Sequence, residues 1–206
     1  MMTLMRKLSV LVSPFLVSVL GVLGAVALLS TPAMAQDIEA GKAKAQVCGA
    51  CHGVDGNAVA PIYPNLAGQT WRYLYVQLKD FKEGRRHNDT MSPLAATLSR
   101  EDMINIANYF AAQSVKRNPF VPDEAKVLLG KAKADETLCS MCHLGGFSGQ
   151  NEIPRVAGQQ YDYVIGQLRN FKARIRTNDA GNMTSVAQTL SETDIENLAH
   201  YIVSLQ

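Results

Sequence analysis

The sequence predicts an all-α protein made of two tandem copies of one small helical domain. Three observations carry that prediction. A five-residue pattern occurs twice, as Cys48-Gly49-Ala50-Cys51-His52 and as Cys139-Ser140-Met141-Cys142-His143. The residues downstream of each pattern match one another at offsets of 90 to 92. Apolar residues in both copies recur at helical spacing, and no strand-like alternation of any length competes with them.

The chain opens on a targeting segment. Arg6 and Lys7 form a basic start, a mostly apolar run extends from Leu8 to Leu29, and Ala33-Met34-Ala35 fits the A-x-A cleavage pattern ahead of Gln36. Residues 1–35 are therefore expected to be a cleaved signal peptide. The run is long enough to cross a bilayer, which makes an uncleaved membrane anchor the competing reading. Pro14, Gly21 and Gly24 weaken that reading, and the A-x-A site favours removal. In either case the remainder is exported, and the periplasm is the expected location. No later stretch is apolar enough to span a membrane.

What remains is roughly 170 residues, room for two small domains. A domain of about 85 residues buries a modest core, so a bound prosthetic group would be a large share of its interior. The whole chain has 20 Lys and Arg against 18 Asp and Glu. Arg6 and Lys7 account for the difference, leaving 18 of each sign in the mature chain. That balance, without long basic tracts, excludes a basic nucleic-acid binder.

The repeat is traced through several short matches. Leu66-Ala67-Gly68-Gln69 answers Val156-Ala157-Gly158-Gln159, Gln77-Leu78 answers Gln167-Leu168, and Thr97-Leu98-Ser99 answers Thr189-Leu190-Ser191. The first copy begins near Asp37, a plausible N-cap, and its opening helix runs into the cysteine motif. A loop rich in Gly, Asn and Pro follows, from Gly53 to Gly68. A second helix carries Leu74, Leu78 and Phe81, matched by Val164, Leu168 and Phe171. The last helix of each copy opens on Ser-x-x-Asp, at Ser99 and Ser191, a capping-box variant. Its expected buried face is Met103, Ile106, Ala107 and Phe110, matched by Ile195, Leu198, Ala199 and Ile202. Between the copies, Ser114 to Glu124 holds Pro119 and Pro122 and reads as an extended linker. Domains are accordingly expected at 36–118 and 119–206, with the opening helix of the second rebuilt from Val127 through Cys139.

The repeated pattern is Cys-x-x-Cys-His, the signature for covalent attachment of c-type haem. Two thiols on one helical turn can each add to a vinyl group of the same porphyrin. The next residue's imidazole then lies under the iron as proximal ligand. A redox dithiol, a zinc site or a local disulfide could also use Cys-x-x-Cys. The histidine after both pairs, in a chain with only four histidines, favours two haems. The motifs use all four cysteines: Cys48, Cys51, Cys139 and Cys142.

The second axial position separates carriers from catalysts, and methionine there suits electron transfer. Met91 and Met183 recur at matching places, expected to be loops between two helices. Met103 falls on a core face, and Met141 lies inside the motif, too close to span the ring. His87 is the rival to Met91; its counterpart is Thr177, so it would make the two haems unlike. His200 is expected at the surface or a boundary. Pro64 and Pro154 lie in loops that could supply a carbonyl acceptor for the second ring nitrogen of His52 and His143. An ordinary turn proline is the equal alternative.

With two such motifs, a methionine downstream of each, and Tyr63-Pro64-Asn65-Leu66-Ala67-Gly68-Gln69, the mature chain resembles the dihaem cytochrome c4 family. Arg85-Arg86 ahead of Met91 adds to the likeness. The resemblance implies two class I cytochrome c folds packed face to face, each around one covalently bound haem. It implies His52 with Met91, and His143 with Met183, as axial pairs. It also implies a periplasmic electron carrier, sometimes loosely held at the membrane. Its donor would be a quinol-oxidising complex or a dehydrogenase, and its acceptor a terminal oxidase. Leu144 to Gln150 departs from the usual pattern, which bears on partner contacts at the second haem and not on its ligands.

Two other functions compete. The chain could be the dihaem electron-accepting subunit of a dehydrogenase such as flavocytochrome sulfide dehydrogenase, although no apolar docking surface is evident in the sequence. A dihaem peroxidase would need an open sixth site, and the two methionines and the short chain argue against it. Charge offers one further expectation. Residues 36–118 carry 10 basic and 8 acidic side chains, and residues 119–206 carry 8 and 10, giving +2 and −2. Such a dipole could steer different partners to different domains.

Overall fold

A computed structural model describes residues 37–205. The expected signal peptide lies outside the described residues. In the first copy, α1 (Ile38–Lys44) begins at Asp37, whose Oδ1 accepts the Ala40 N–H at 2.8 Å. It tightens into a 3₁₀ turn over Ala45–Cys48 and continues as α2 (Gly49–His52). Then come α3 (Trp71–Lys82), α4 (Met91–Ala96) and α5 (Arg100–Ala111). The second copy repeats the order as α6 (Glu124–Glu136), α7 (Cys139–His143), α8 (Tyr161–Lys172), α9 (Asn182–Gln188) and α10 (Glu192–Ser204). Among the described residues the only β pairing is an isolated bridge between Gln150 and Ile153.

The last helix of each copy starts where its caps dictate. Ser99 and Ser191 each accept an N–H from the aspartate three residues on, and that aspartate returns a bond to the serine's own N–H. The core faces fall at the expected positions: Met103, Ile106, Ala107 and Phe110 are buried on α5, as are Ile195, Leu198, Ala199 and Ile202 on α10. The first and last helices of each copy cross backbone to backbone. A Cβ on Gly41 would overlap the Asn105 carbonyl, and one on Gly130 the Asn197 carbonyl. The two glycines therefore set the crossing in each copy.

The second opening helix departs from expectation. It starts at Glu124, with Asp123 as cap, and stops at Glu136. Leu138 then adopts a left-handed conformation (φ 56°), so Cys139 starts a separate helix rather than ending a continuous one. Two extra residues between Lys133 and Cys139, relative to the first copy, force this break.

The copies meet through reciprocal hydrogen bonds. Asn65 N–H donates to Gln159 Oε1 at 2.7 Å while Gln159 Nε2 donates to the Asn65 carbonyl at 3.0 Å. Arg155 N–H donates to Gln69 Oε1 at 2.7 Å while Gln69 Nε2 donates to the Arg155 carbonyl at 2.8 Å. Beside these pairs, Arg86 donates to Gln77, Tyr163 and Gln167, and Arg176 donates to Gln167, Tyr73 and Gln77. Each guanidinium also stacks on a phenylalanine of its own copy, Phe81 or Phe171, at 4.6 and 4.5 Å. Equivalent residues exchange roles, so the interface has approximate two-fold symmetry.

The linker is fastened to the second copy. Asn118 Nδ2 donates to Gln160 Oε1 at 3.1 Å, and Phe120 stacks on Tyr161 at 4.3 Å. Asp123 N–H donates to Nδ1 of His200 at 3.0 Å. His200 is consequently buried, 7% exposed, at the boundary between the linker and the second domain, one of the two expected places. The aromatic packing of Phe120 and Tyr161 encloses it.

Candidate functional site

Each cysteine motif places its histidine at the end of a short helix, inside the domain. His52 and His143 are 5% and 7% exposed. His52 Nδ1 lies 2.9 Å from the Pro64 carbonyl oxygen, and His143 Nδ1 lies 2.8 Å from that of Pro154. A carbonyl can only accept, so Nδ1 carries the proton and donates it. The lone pair of Nε2 is thereby left free to bind a metal. Burial pushes both imidazoles below the usual histidine range, partly offset by the carbonyl bonds, which keeps them neutral.

No disulfide links the cysteines of either motif, so all four sulfurs are available for thioether bonds. Among the described residues no three His, Cys, Asp or Glu side chains converge as a metal cluster, which is what a shared zinc would need. Two thiols and one free imidazole nitrogen per copy fit one covalently attached haem each.

The loop after each histidine is closed by equivalent backbone bonds. Leu66 and Ala67 N–H donate to the Gly56 carbonyl, and Val156 and Ala157 N–H donate to the Phe147 carbonyl. Gly56 has φ 77°, and Phe147 takes the same left-handed region at φ 56°. The first copy needs a glycine there because a Cβ would meet the Phe110 ring. In the second copy the residue facing that point is Ile202, and Phe147 fills the core instead, stacked 6.3 Å from His143. The unusual Leu144–Gln150 segment is thus a repacking of the same loop.

Met91 and Met183 lie not in open loops but in the first turn of α4 and α9. Asn88 Oδ1 accepts N–H groups from Thr90 and Met91 at 3.1 and 2.9 Å. Asp179 does the same work in the second copy, accepting from Gly181 and Thr184 at 3.2 and 2.6 Å. Burial opposes the Asp179 charge, yet these bonds hold its carboxyl below the usual range. Both methionines are half-buried, and Met183 packs against the core cluster that contains Phe147, as Cys139 also does. Met103 is buried in the core of its helix, and Met141 is exposed. The His87 side chain is 77% exposed and faces Asp89 at 3.1 Å. His200 and the Arg86–Arg176 interface were not legible as functional positions. The signal for the interface was there, in polar Gln77, Gln167, Tyr73 and Tyr163 repeating at matching positions of two amphipathic helices.

The family model for cytochrome c matches residues 38–114 and again residues 127–206. Cytochrome c4 of Pseudomonas aeruginosa is 41% identical over 180 residues, spanning 83% of this chain and 90% of that protein. The chain belongs to the cytochrome c4 family. The crystal structure of reduced recombinant cytochrome c4 from Pseudomonas stutzeri superposes with a TM-score of 0.78 at 38% identity, covering 84% of this chain and all of that one (100%). A thiosulfate dehydrogenase electron acceptor from Stutzerimonas stutzeri is 30% identical over 180 residues, covering 78% of this chain and 80% of that protein. This cytochrome is therefore a dihaem electron-transfer protein and not an enzyme. It carries two covalent haem c groups, one on the Cys48/Cys51 pair and one on Cys139/Cys142.

Proposed function

We propose that this cytochrome is a periplasmic carrier in which His52 with Met91, and His143 with Met183, are the axial pairs. The observation that carries this reading is the His–Pro carbonyl bond, made in both copies at 2.9 and 2.8 Å. Each bond fixes the ring plane and tautomer and presents Nε2 as the ligand atom. When bound, each haem supplies a one-electron couple, and methionine ligation raises its potential. The chain's own residues exclude water from the histidine and hold the methionine turn still through Asn88 or Asp179. Residues 36–118 and 119–206 then act as the two electron-carrying halves, after removal of residues 1–35. Donors are a quinol-oxidising complex or a dehydrogenase, and the acceptor is a terminal oxidase.

The test is an optical spectrum of oxidised and reduced protein with haem quantified per chain. Two haems, both with the weak sulfur-to-iron charge-transfer band and no high-spin signal, are expected. Met91→Ala and Met183→Ala should each remove about half of that band. A bis-histidine or high-spin haem in the unmodified protein overturns the assignment. The mass of exported protein tests cleavage after Ala35.

The thiosulfate dehydrogenase electron acceptor among the relatives favours a second reading, in which the chain is the dedicated electron-accepting subunit of a dehydrogenase and not a free carrier. Rapid reduction by a thiosulfate dehydrogenase with its substrate, against slow reduction by a quinol-oxidising complex, would select it.

A further inference from the structure

Helix α6 is apolar on the side that faces away from its own domain. Gly130 and Ala134 face α10 and are buried, whereas Ala125, Leu128, Leu129 and Ala132 are exposed on the opposite side. Their spacing of three, four and seven residues puts them in one stripe. Leu128 is 70% exposed and Leu129 58%. Just past the helix end, Leu138 (57%) and Met141 (70%) are exposed as well.

The first copy has no such stripe. Gly41 and Gly130 make the same contact with the last helix, which fixes the register. Glu39 and Ala40 then stand where the second copy has Leu128 and Leu129. Met141 likewise replaces Ala50, whereas Leu138 has an equally exposed apolar counterpart in Val47. No core role explains the difference, since these side chains point outward in both copies.

The charges around the stripe are arranged with a bias. Lys126 pairs with Glu196, Lys131 with Asp135, and Lys133 with both Glu136 and Asp194. Every lysine of the helix is thus neutralised. Glu124 has no ion-pair partner among the described residues, and Lys133 serves two carboxylates. On α6 and its cap, three lysines stand against four carboxylates, Asp123, Glu124, Asp135 and Glu136, one negative charge in excess, and Glu196 and Asp194 of α10 draw Lys126 and Lys133 toward the domain.

We propose that this face is the docking surface for a redox-partner protein that presents an apolar patch ringed by lysine and arginine. The proposal rests on the electron-carrier reading and gives it a location, the second domain. An apolar centre supplies contact area, and the acidic rim steers a cationic partner toward it. So few side chains fall below the roughly 1,200 Å² of a stable complex and within the size of a transient electron-transfer encounter. A carrier needs that, because a tightly held partner would stop turnover. In the encounter one electron passes from the reduced cytochrome to the oxidised partner. No bond forms or breaks and no proton moves.

The test uses the full holoprotein with two oxidants in stopped flow. One is a basic mitochondrial cytochrome c, a cationic protein with an apolar haem edge. The other is hexacyanoferrate(III), a small ion that needs no docking face. L128Q/L129Q should slow the reaction with the protein probe about fivefold, leaving the rate with hexacyanoferrate and the haem spectrum unchanged. E124Q/E136Q should flatten the fall of the protein-probe rate with ionic strength. An unchanged probe rate in L128Q/L129Q overturns the proposal, as does equal slowing with both oxidants. A wild-type dimer in sedimentation that L128Q/L129Q dissolves overturns it by assigning the face to a second copy. Variant-sensitive binding to phosphatidylglycerol vesicles overturns it by assigning the face to lipid. Wild-type protein that hexacyanoferrate cannot oxidise overturns the carrier reading itself, and the docking proposal with it.

Discussion

Asn65 and Gln159 hold each other by two hydrogen bonds across the domain boundary, the main chain of one against the amide of the other. Gln69 and Arg155 repeat the arrangement with the domains exchanged. Each glutamine thus satisfies a backbone N–H and a backbone carbonyl that the interface has removed from water. Each of these loops starts at the proline whose carbonyl holds the buried histidine. The residue after Pro64 is Asn65, and the residue after Pro154 is Arg155. The same strand of backbone therefore orients a histidine on one side and locks the domains on the other.

Gln159→Ala should destabilise the protein by about 2–3 kcal/mol, because it leaves a buried N–H and a buried carbonyl unpaired. Urea denaturation of the holoprotein measures the loss. Gln69→Ala combined with Gln159→Ala should split the transition into two steps, one per domain. A single step with the loss of only one glutamine would show that the Arg86–Arg176 network suffices to couple them.

The helix crossing gives a sharper stability test. Gly130→Ala places a methyl group on the Asn197 carbonyl, which belongs to helical backbone and cannot move aside as a side chain would. A cost of about 2–4 kcal/mol is expected from the forced separation of α6 and α10. Gly166→Ala is the control. It lies mid-helix in α8 with nothing near its Cβ, and alanine there should stabilise by roughly 0.5–1 kcal/mol. Thermal melts of the two variants should move in opposite directions.

The elements that were legible in the sequence are those fixed by local chemistry. Asp37, Ser99 and Ser191 announced their helices because a cap acts within three residues, and the buried faces of α5 and α10 followed from period alone. The histidine–proline pairs were within reach because the prolines recur. What escaped notice depends on contacts between distant segments. His200 is buried only because Phe120 and Asp123, far away in the chain, fold over it. The interruption at Leu138 and the left-handed Phe147 carry no glycine to mark them. The sequence does not mark Leu128 and Leu129 as outward-facing, and only the position of α10 shows which side of the helix is inside.

Phe147 supports a prediction of its own. Its ring belongs to the second core, while its backbone is strained by a positive φ. Phe147→Ala should cost about 3–4 kcal/mol through the cavity it leaves. Phe147→Gly loses the same ring but relieves the backbone, which should return roughly 1 kcal/mol. The glycine variant should therefore melt above the alanine variant, reversing the usual order for these two residues. Alanine above glycine would mean that the left-handed turn is not held in solution.

The last prediction concerns pH. His200 Nδ1 accepts the Asp123 N–H, so the ring is neutral in the folded chain and a proton on that nitrogen would break the bond. Burial lowers its affinity for a proton, Lys126 on α6 lowers it further, and Asp123 and Glu196 act in the opposite sense. Tyr161 and Phe120 supply the rest of its surroundings without charge. An unfolded histidine titrates near 6.5. The folded value is lower, so the unfolded chain takes up the proton first as pH falls. The contribution of His200 is complete above about pH 6.5 and is lost progressively as pH drops through the folded value. His200→Asn, the residue at the equivalent Asn108, has no proton to gain. Its stability should fall less steeply than that of the wild type between about pH 7 and pH 5, since His52, His87 and His143 are common to both proteins. Parallel curves from urea titrations across that range would mean that His200 takes up its proton at the same pH in the folded and unfolded chain, the linker clamp releasing before the rest of the fold. A wild type that gains stability toward acid relative to the variant would reverse the sign and place the proton on His200 in the folded state, with Asp123 and Glu196 outweighing burial.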